Sequence, residues 1–200
     1  MPETEQAQKL AARLRRETWP IHQRLEDDLG LMAPDLSRER YLWLLTRFWG
    51  FHSPWEAALT AIFGEGDAIF APRRRLHLLE QDLTFLGLTA EEIAALPLCP
   101  HLPVFRSREE ALGSLYVLEG STLGGRFITR HVRARFGWSE EQGMAYFHSH
   151  GAQVGAMWQD FRRILSAHSS PAADDAITGM AVATFIALHR WLCVPKEAEA

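Results

Sequence analysis

The segment Leu115-Tyr-Val-Leu-Glu-Gly-Ser-Thr-Leu-Gly-Gly-Arg-Phe127 sets three glycines, Gly120, Gly124 and Gly125, into six residues of a pattern that otherwise reads as helix. Each Gly in a helix interior costs about 1 kcal/mol relative to Ala, so the trio gives up roughly 3 kcal/mol of local helix preference. Gly113, Tyr116, Gly120, Gly124 and Phe127 fall at spacings of three and four, on one helical face. That face is almost bare of side chains. Bare backbone admits a large flat body at close range, or lets the helix bend over it. Close packing against another helix is the plainer explanation for the same pattern.

The rest of the chain reads as helices joined by short breaks. Ser37 precedes an apolar-rich stretch, Tyr41 to Phe63, which Gly64 and Gly66 close and which Pro54 is expected to kink. Ser107-x-x-Glu110, Thr89-x-x-Glu92 and Ser139-x-x-Gln142 have the form of capping boxes. One long helix is expected from Ser107 to Phe136, with Arg133 and Arg135 at its negative end and Gly137 as its stop. Val154 to Ser166 and Asp174 to Val194 complete the set, separated by Ser169-Ser170-Pro171. Alternating β-type runs and internal repeats are missing. The expectation is an all-α fold of seven or eight helices in one domain spanning residues 1–200, with about 1–6 and 195–200 disordered.

Composition narrows the class of function. A net charge of −4 argues against a general nucleic-acid binder. Cys99 and Cys193 are far apart and form no CxxC pair, so neither a zinc site nor a disulfide framework is indicated. Met1 to Arg16 is polar and charged, with no apolar signal core. No apolar run approaches the roughly 20 residues of a membrane span. A cytoplasmic protein is expected.

The first helix supplies a second clue. Leu10, Leu14, Ile21, Leu25 and Leu29 mark an apolar stripe, and Arg15, Thr18, His22 and Glu26 run beside it. Pro20 implies a kink or a fresh start near Trp19. His22 reads either as an ordinary helix histidine or as an imidazole directed at a metal cofactor, with Glu26 one turn away.

Thr18-Trp-Pro-Ile-His-Gln-Arg-Leu-Glu26, followed after about ninety residues by Tyr116-Val-Leu-Glu-Gly-Ser-Thr-Leu-Gly-Gly-Arg126, resembles the haem oxygenase family. The likeness is to its bacterial branch, which includes the biliverdin-producing enzymes that accompany bacterial phytochromes. Trp158-x-x-Phe161 and Ala183-Thr-Phe-Ile-Ala-Leu-His-Arg-Trp191 look like the closing helices of that family. The resemblance implies haem held between a proximal helix and a Gly-rich, kinked distal helix. By position, His22 matches the proximal iron ligand, and Gly120 and Gly124 match the distal glycines. Gly125 falls beside them. Thr18, Leu25 and Glu26 fall on the proximal side, Phe185 at a pocket aromatic, and Arg15 where a basic residue meets a propionate. Tyr116 is a candidate for a propionate or pocket-wall contact.

The chain departs from the family pattern twice. Many members carry a distal Asp that organises the water feeding protons to O₂, whereas Ser121 follows the first distal glycine here. A hydroxyl relays protons through water but supplies no charge, so the network is expected around Ser121, Thr122 and water. The basic residues that hold propionates on a late helix in other members have no clean match; Arg126, Arg162 and Arg163 are the substitutes on offer.

The activity implied by the resemblance is O₂- and electron-dependent cleavage of haem, both substrate and cofactor, to biliverdin, CO and ferrous iron. No GxGxxG fingerprint of a flavin or nicotinamide site is present, which implies an external reductase or ferredoxin. A bacterial phytochrome is a candidate bilin acceptor. Two other readings stay open: a haem carrier or sensor without turnover, and an all-α enzyme acting on another flat heterocycle. The latter would need a nucleophile, and neither cysteine lies in an evident nucleophile motif. His148-Ser-His150 resembles a metal pair only superficially, since i,i+2 side chains diverge on a helix. His52, His77, His101, His131, His168 and His189 read as surface or capping residues. Arg73-Arg74-Arg75 reads as a solvated helix start, or else as a seat for an acidic electron donor.

Overall fold

A computed structural model describes residues 5–193. Helix α1, Glu5–Leu29, runs unbroken through Pro20, so no fresh start occurs near Trp19. It begins inside the stretch expected to be disordered: Gln6 already donates from its side-chain amide to Asp174. Residues 1–4 and 194–200 lie outside the described part, as does the Val194 end expected for the last helix. Leu10, Leu14, Thr18, Leu25 and Leu29 are buried along one stripe, leaving His22 and Glu26 on its flank.

Helix α2, Arg38–Phe63, is capped by the Ser37 hydroxyl and closed at Gly64; Pro54 lies within the span without ending it. A 3-10 turn at Ala71–Arg73 leads into α3, Leu76–Phe85. Helix α4, Ala90–Ala94, has the complete capping box between Thr89 and Glu92. The Ser107 hydroxyl caps α5, Arg108–Ser121. The Glu110 carboxylate turns instead to the Arg106 amide, so only half of that expected box forms.

The single helix expected from Ser107 to Phe136 is broken. Helix α5 ends at Ser121, Thr122–Gly124 form a 3-10 turn, and α6 runs Gly125–Phe136 to a left-handed cap at Gly137. The glycines weaken the helix where the chain changes its winding. Beyond the break the helical phase is lost, and Phe127 is exposed, away from the face it was expected to share.

Ser139-x-x-Gln142 opens no helix. The Gln142 amide bonds the Ser139 carbonyl in a turn, and the Ser139 hydroxyl donates to Glu141. Helix α7, Ala145–His148, starts three residues later, where buried Asp82 accepts its first amides. A 3-10 turn at Gly151–Gln153, α8 (Val154–Ala167) and α9 (Pro171–Leu192) complete the described chain. No strand occurs among the described residues.

Helix α9 packs chiefly on α5 and α1. The α5 contact explains Gly113: a Cβ there would stand 2.1 Å from the Ile177 carbonyl oxygen. Gly113 therefore belongs to helix packing and not to an open face. Deeper in, the Trp55 indole and the Thr184 hydroxyl both donate to the Ser114 hydroxyl, joining α2, α9 and α5. Buried Arg47 lies over the Trp191 ring at 3.4 Å and donates to the Trp191 carbonyl, while the Trp191 indole returns a bond to the Arg47 carbonyl. Helix α9 is long and apolar enough to cross a membrane, contrary to the sequence expectation, yet much of it is buried against its neighbours.

Candidate functional site

A cavity opens between α1 on one side and the α5–α6 break on the other. Arg15, Thr18, His22, Leu25, Glu26, Tyr116, Gly120, Ser121, Gly124, Gly125 and Phe185 all line it, so the fold brings these residues from distant parts of the sequence to one place. It holds about 1360 Å³ of non-atom space, including the open mouth. Leu29, Phe48, Leu188 and Leu192 make much of the remaining wall apolar.

The α1 wall presents His22. Its ring lies 5.2 Å from the Phe185 ring, centroid to centroid, and meets Trp19 edge-on at 6.0 Å. Nε2 stands 3.2 Å from Glu26 Oε1. Thr18, one turn before, donates its hydroxyl to the Leu14 carbonyl and is buried. No cluster of three or more His, Cys, Asp or Glu forms a metal cage among the described residues. A single imidazole suits a metal that arrives with most of its ligands already in place.

The opposite wall separates the glycines by role. A Cβ at Gly124 would meet nothing within 4 Å, and one at Gly120 only the Trp158 ring at 3.7 Å. Neither position has positive φ. Packing and backbone conformation therefore leave room for a side chain at both, and the bare backbone faces open cavity. Gly125 differs: a Cβ there would lie 2.1 Å from the Phe147 carbonyl oxygen, so glycine is required where α6 crosses α7.

One edge of the cavity is basic and hydroxylic. Burial raises the Tyr116 phenol above its usual pKa, opposed by a hydrogen bond with Thr18 and by the charges of Arg15 and Arg162. Arg15 and Tyr116 also line an adjoining groove between α1 and α8, where Arg162 joins them. The other two arginines weighed from sequence lie elsewhere. Arg126 stacks over Phe127 on a different groove, and Arg163 pairs with Asp160.

The depth of the cavity holds groups that sequence reading misplaced. Arg73 and Arg75 are 2% and 3% exposed and are not a solvated helix start. The guanidinium of Arg75 lines the cavity, donates to the Leu118 carbonyl at 2.5 Å and lies 5.2 Å above the Tyr146 ring. The Ser121 hydroxyl donates to that same carbonyl at 2.7 Å. Buried Glu56 accepts from the Arg75 and Leu76 amides, which fixes the start of α3. Arg74 alone of the three is partly exposed, paired with Glu65 and Glu56.

His52, read as a surface or capping residue, is fully buried, and its Nε2 lies 2.8 Å from the Tyr146 hydroxyl. Burial, aided by the Arg75 charge, drives its pKa well below the ordinary histidine value, so the ring is neutral. Burial also pushes the Tyr146 phenol up to about 12. Behind the glycine helix, Glu119 sits buried between Arg73 at 3.6 Å and His150 at 3.7 Å. One sequence signal pointed inward: Phe48, His52, Trp55, Glu56 and Leu59 share a helical face whose apolar members are core. A charged residue buried on such a stripe must be paired or lose its charge.

This arrangement defines a class: an all-α protein with one histidine facing bare glycine backbone across a large apolar cavity. Residues 8–193 match the family described as Heme oxygenase. The chain is 34% identical over 154 residues to a heme oxygenase of Xanthomonas campestris pv. campestris (strain 8004), covering 74% of this chain and 82% of the relative. It shares its fold with the heme oxygenase of Neisseria meningitidis in NO- and CO-bound forms, at TM-score 0.73 and 22% identity, over 94% of both chains. The heme oxygenase of Leptospira interrogans superposes at TM-score 0.75 and 18% identity, over 92% of this chain and 98% of that one. The chain belongs to the heme oxygenase family, whose members are enzymes that convert haem with externally supplied electrons.

Proposed function

We propose that this chain, as one domain, cleaves haem to biliverdin, CO and ferrous iron, with the ring seated between His22 and the Gly120–Gly124 backbone. The observation carrying this reading is that Gly120 and Gly124, where an added Cβ would meet nothing closer than the Trp158 ring at 3.7 Å, line the same cavity as His22. The bound haem supplies the iron and the porphyrin on which O₂ chemistry takes place.

His22 serves as the proximal iron ligand through one ring nitrogen. Glu26, within reach of Nε2, keeps the ring oriented and makes it a stronger donor where it holds the other nitrogen's proton. Arg15, Tyr116 and Arg162 receive the two propionates and fix the rotation of the ring. Leu25, Phe185 and the other apolar walls exclude bulk water. The glycine backbone admits O₂ close to the ring edge.

The proton path does not use a distal carboxylate. The Ser121 proton is engaged by the Leu118 carbonyl, so the hydroxyl offers lone pairs to water in the cavity. Arg75 supplies the fixed charge beside it, and the Tyr146–His52 pair closes the polar end of the wall. A reductase or ferredoxin delivers electrons in the cytoplasm, and a bacterial phytochrome is the proposed acceptor of the bilin.

Hemin titration followed by reduction with ascorbate under air tests the activity. The expected outcome is a stoichiometric Soret band, then a bilin spectrum with release of CO. A stable Soret band without bilin would indicate a carrier or sensor, and no band would indicate a different heterocycle.

A further inference from the structure

Tyr146 and Phe147 reach the cavity from α7, a helix of only four residues. So short a helix cannot hold itself in place, because its nucleation is unfavourable. What anchors it is Asp82 of α3, a fully buried carboxylate. Asp82 Oδ1 accepts from the Ala145 amide at 2.8 Å and Oδ2 from the Tyr146 amide at 2.9 Å. The Tyr41 hydroxyl of α2 fixes the approach to α7 by donating to the Gly143 carbonyl at 2.7 Å. Tyr146 then meets His52, and the Phe147 carbonyl lies where only glycine fits, at Gly125.

We propose that Asp82 is a positioning residue for haem turnover, holding α7 by its first two amides so that Tyr146 and Phe147 form the distal wall against His52 and Gly125. It touches neither substrate nor reacting atoms and acts through Tyr146. The proposal rests on the cavity being the haem site.

Two oxygens accepting two amides favour the ionised form, since protonation makes one oxygen a donor and weakens it as an acceptor. Burial raises the Asp82 pKa to about 6, against the lowering effect of amides of Gly143, Ala145 and Tyr146. The titratable groups around it are the phenols of Tyr41, which feels its charge, and Tyr146, with Arg75 and Glu56 beyond the latter. Keeping this carboxylate charged above that pH works against fold stability, as groups retained for function often do.

The apoprotein and the haem complex test this separately. In wild-type apoprotein the Ala145 and Tyr146 amide resonances should shift together, with a midpoint near the Asp82 pKa of about 6. They should not titrate in Asp82→Asn. In the haem complex, Asp82→Asn should change the pH profile of the ferric spectrum in the same sense as Tyr146→Phe. Its kcat should drop about tenfold, in the range set by losing one positioned group, with KM for haem nearly unchanged. A wild-type pH profile and kcat in Asp82→Asn would overturn the proposal, whatever its melting temperature, and so would wild-type amides that do not titrate. If Asp82→Asn does not fold, a wild-type ferric spectrum constant across the range where the amides shift overturns it, and a spectrum that shifts with them and loses that step in Tyr146→Phe supports it. Failure of the wild type to give a His22-dependent haem spectrum would overturn the assignment of the cavity instead, while the amide titration still decides the cap.

Discussion

The Ser121 hydroxyl and the Arg75 guanidinium share one acceptor, the Leu118 carbonyl, at 2.7 and 2.5 Å. This meeting point joins the end of α5, where the glycines begin, to the buried start of α3. It also defines the character of the wall. The chain sets a neutral hydroxyl against a cation here.

Ser121→Ala should therefore slow turnover without stopping it. A net hydrogen-bond effect of about 0.5–1.5 kcal/mol corresponds to a few-fold to roughly tenfold loss. Arg75→Met removes a charged donor, worth about 1.5–3 kcal/mol, and should lose about ten- to a hundredfold. Single-turnover bilin formation measures both. A larger loss in Ser121→Ala than in Arg75→Met would place the proton path at the hydroxyl.

The glycines should separate into two groups. Gly120→Leu and Gly124→Leu are expected to fold, because neither has positive φ and an added Cβ would meet nothing closer than the Trp158 ring at 3.7 Å, but bilin yield should fall sharply. Gly125→Ala must displace the Phe147 carbonyl and should destabilise by about 1–3 kcal/mol, a loss of several degrees in Tm. Thermal melts beside bilin yields reveal the contrast. Normal bilin yield from both leucine variants would return those glycines to helix packing.

Asp82 gives stability a pH dependence with a defined sign. Its folded pKa of about 6 lies above the ordinary 3.8, so the native state binds the extra proton between those values. The contribution is fully present below pH 3.8 and is lost as pH rises through 6, by at most about 3 kcal/mol. Denaturant melts from pH 4.5 to 7.5 should show the wild type losing stability relative to Asp82→Asn as pH rises. A constant difference would contradict the shift.

The parts of this molecule set by local chemistry were legible in its sequence. Ser37, Thr89 and Gly137 mark helix ends because each acts within one turn. The stripe around His22 and the glycine run delivered both walls of the cavity, since each wall is built from one short contiguous stretch of sequence. What escaped depended on distant partners. Arg73 and Arg75 look like a solvated run until Glu119, Asp160 and Leu118 arrive from α5 and α8. His52 finds its hydrogen-bond partner only when α7 brings Tyr146 to it. Gly124 and Gly125 are adjacent and identical in sequence, and only the position of the Phe147 carbonyl tells them apart. Asp82 carries no motif because its two amides lie more than sixty residues away.

The most direct test of the central claim is the ferric haem spectrum of His22→Ala, recorded with and without added imidazole. Ala raises local helix preference slightly, so α1 and the fold should persist by circular dichroism. The axial imidazole signature should vanish and bilin formation should cease, and imidazole added in solution should restore the signature. An unchanged ferric spectrum with full turnover and no added imidazole would show that His22 does not ligate the iron.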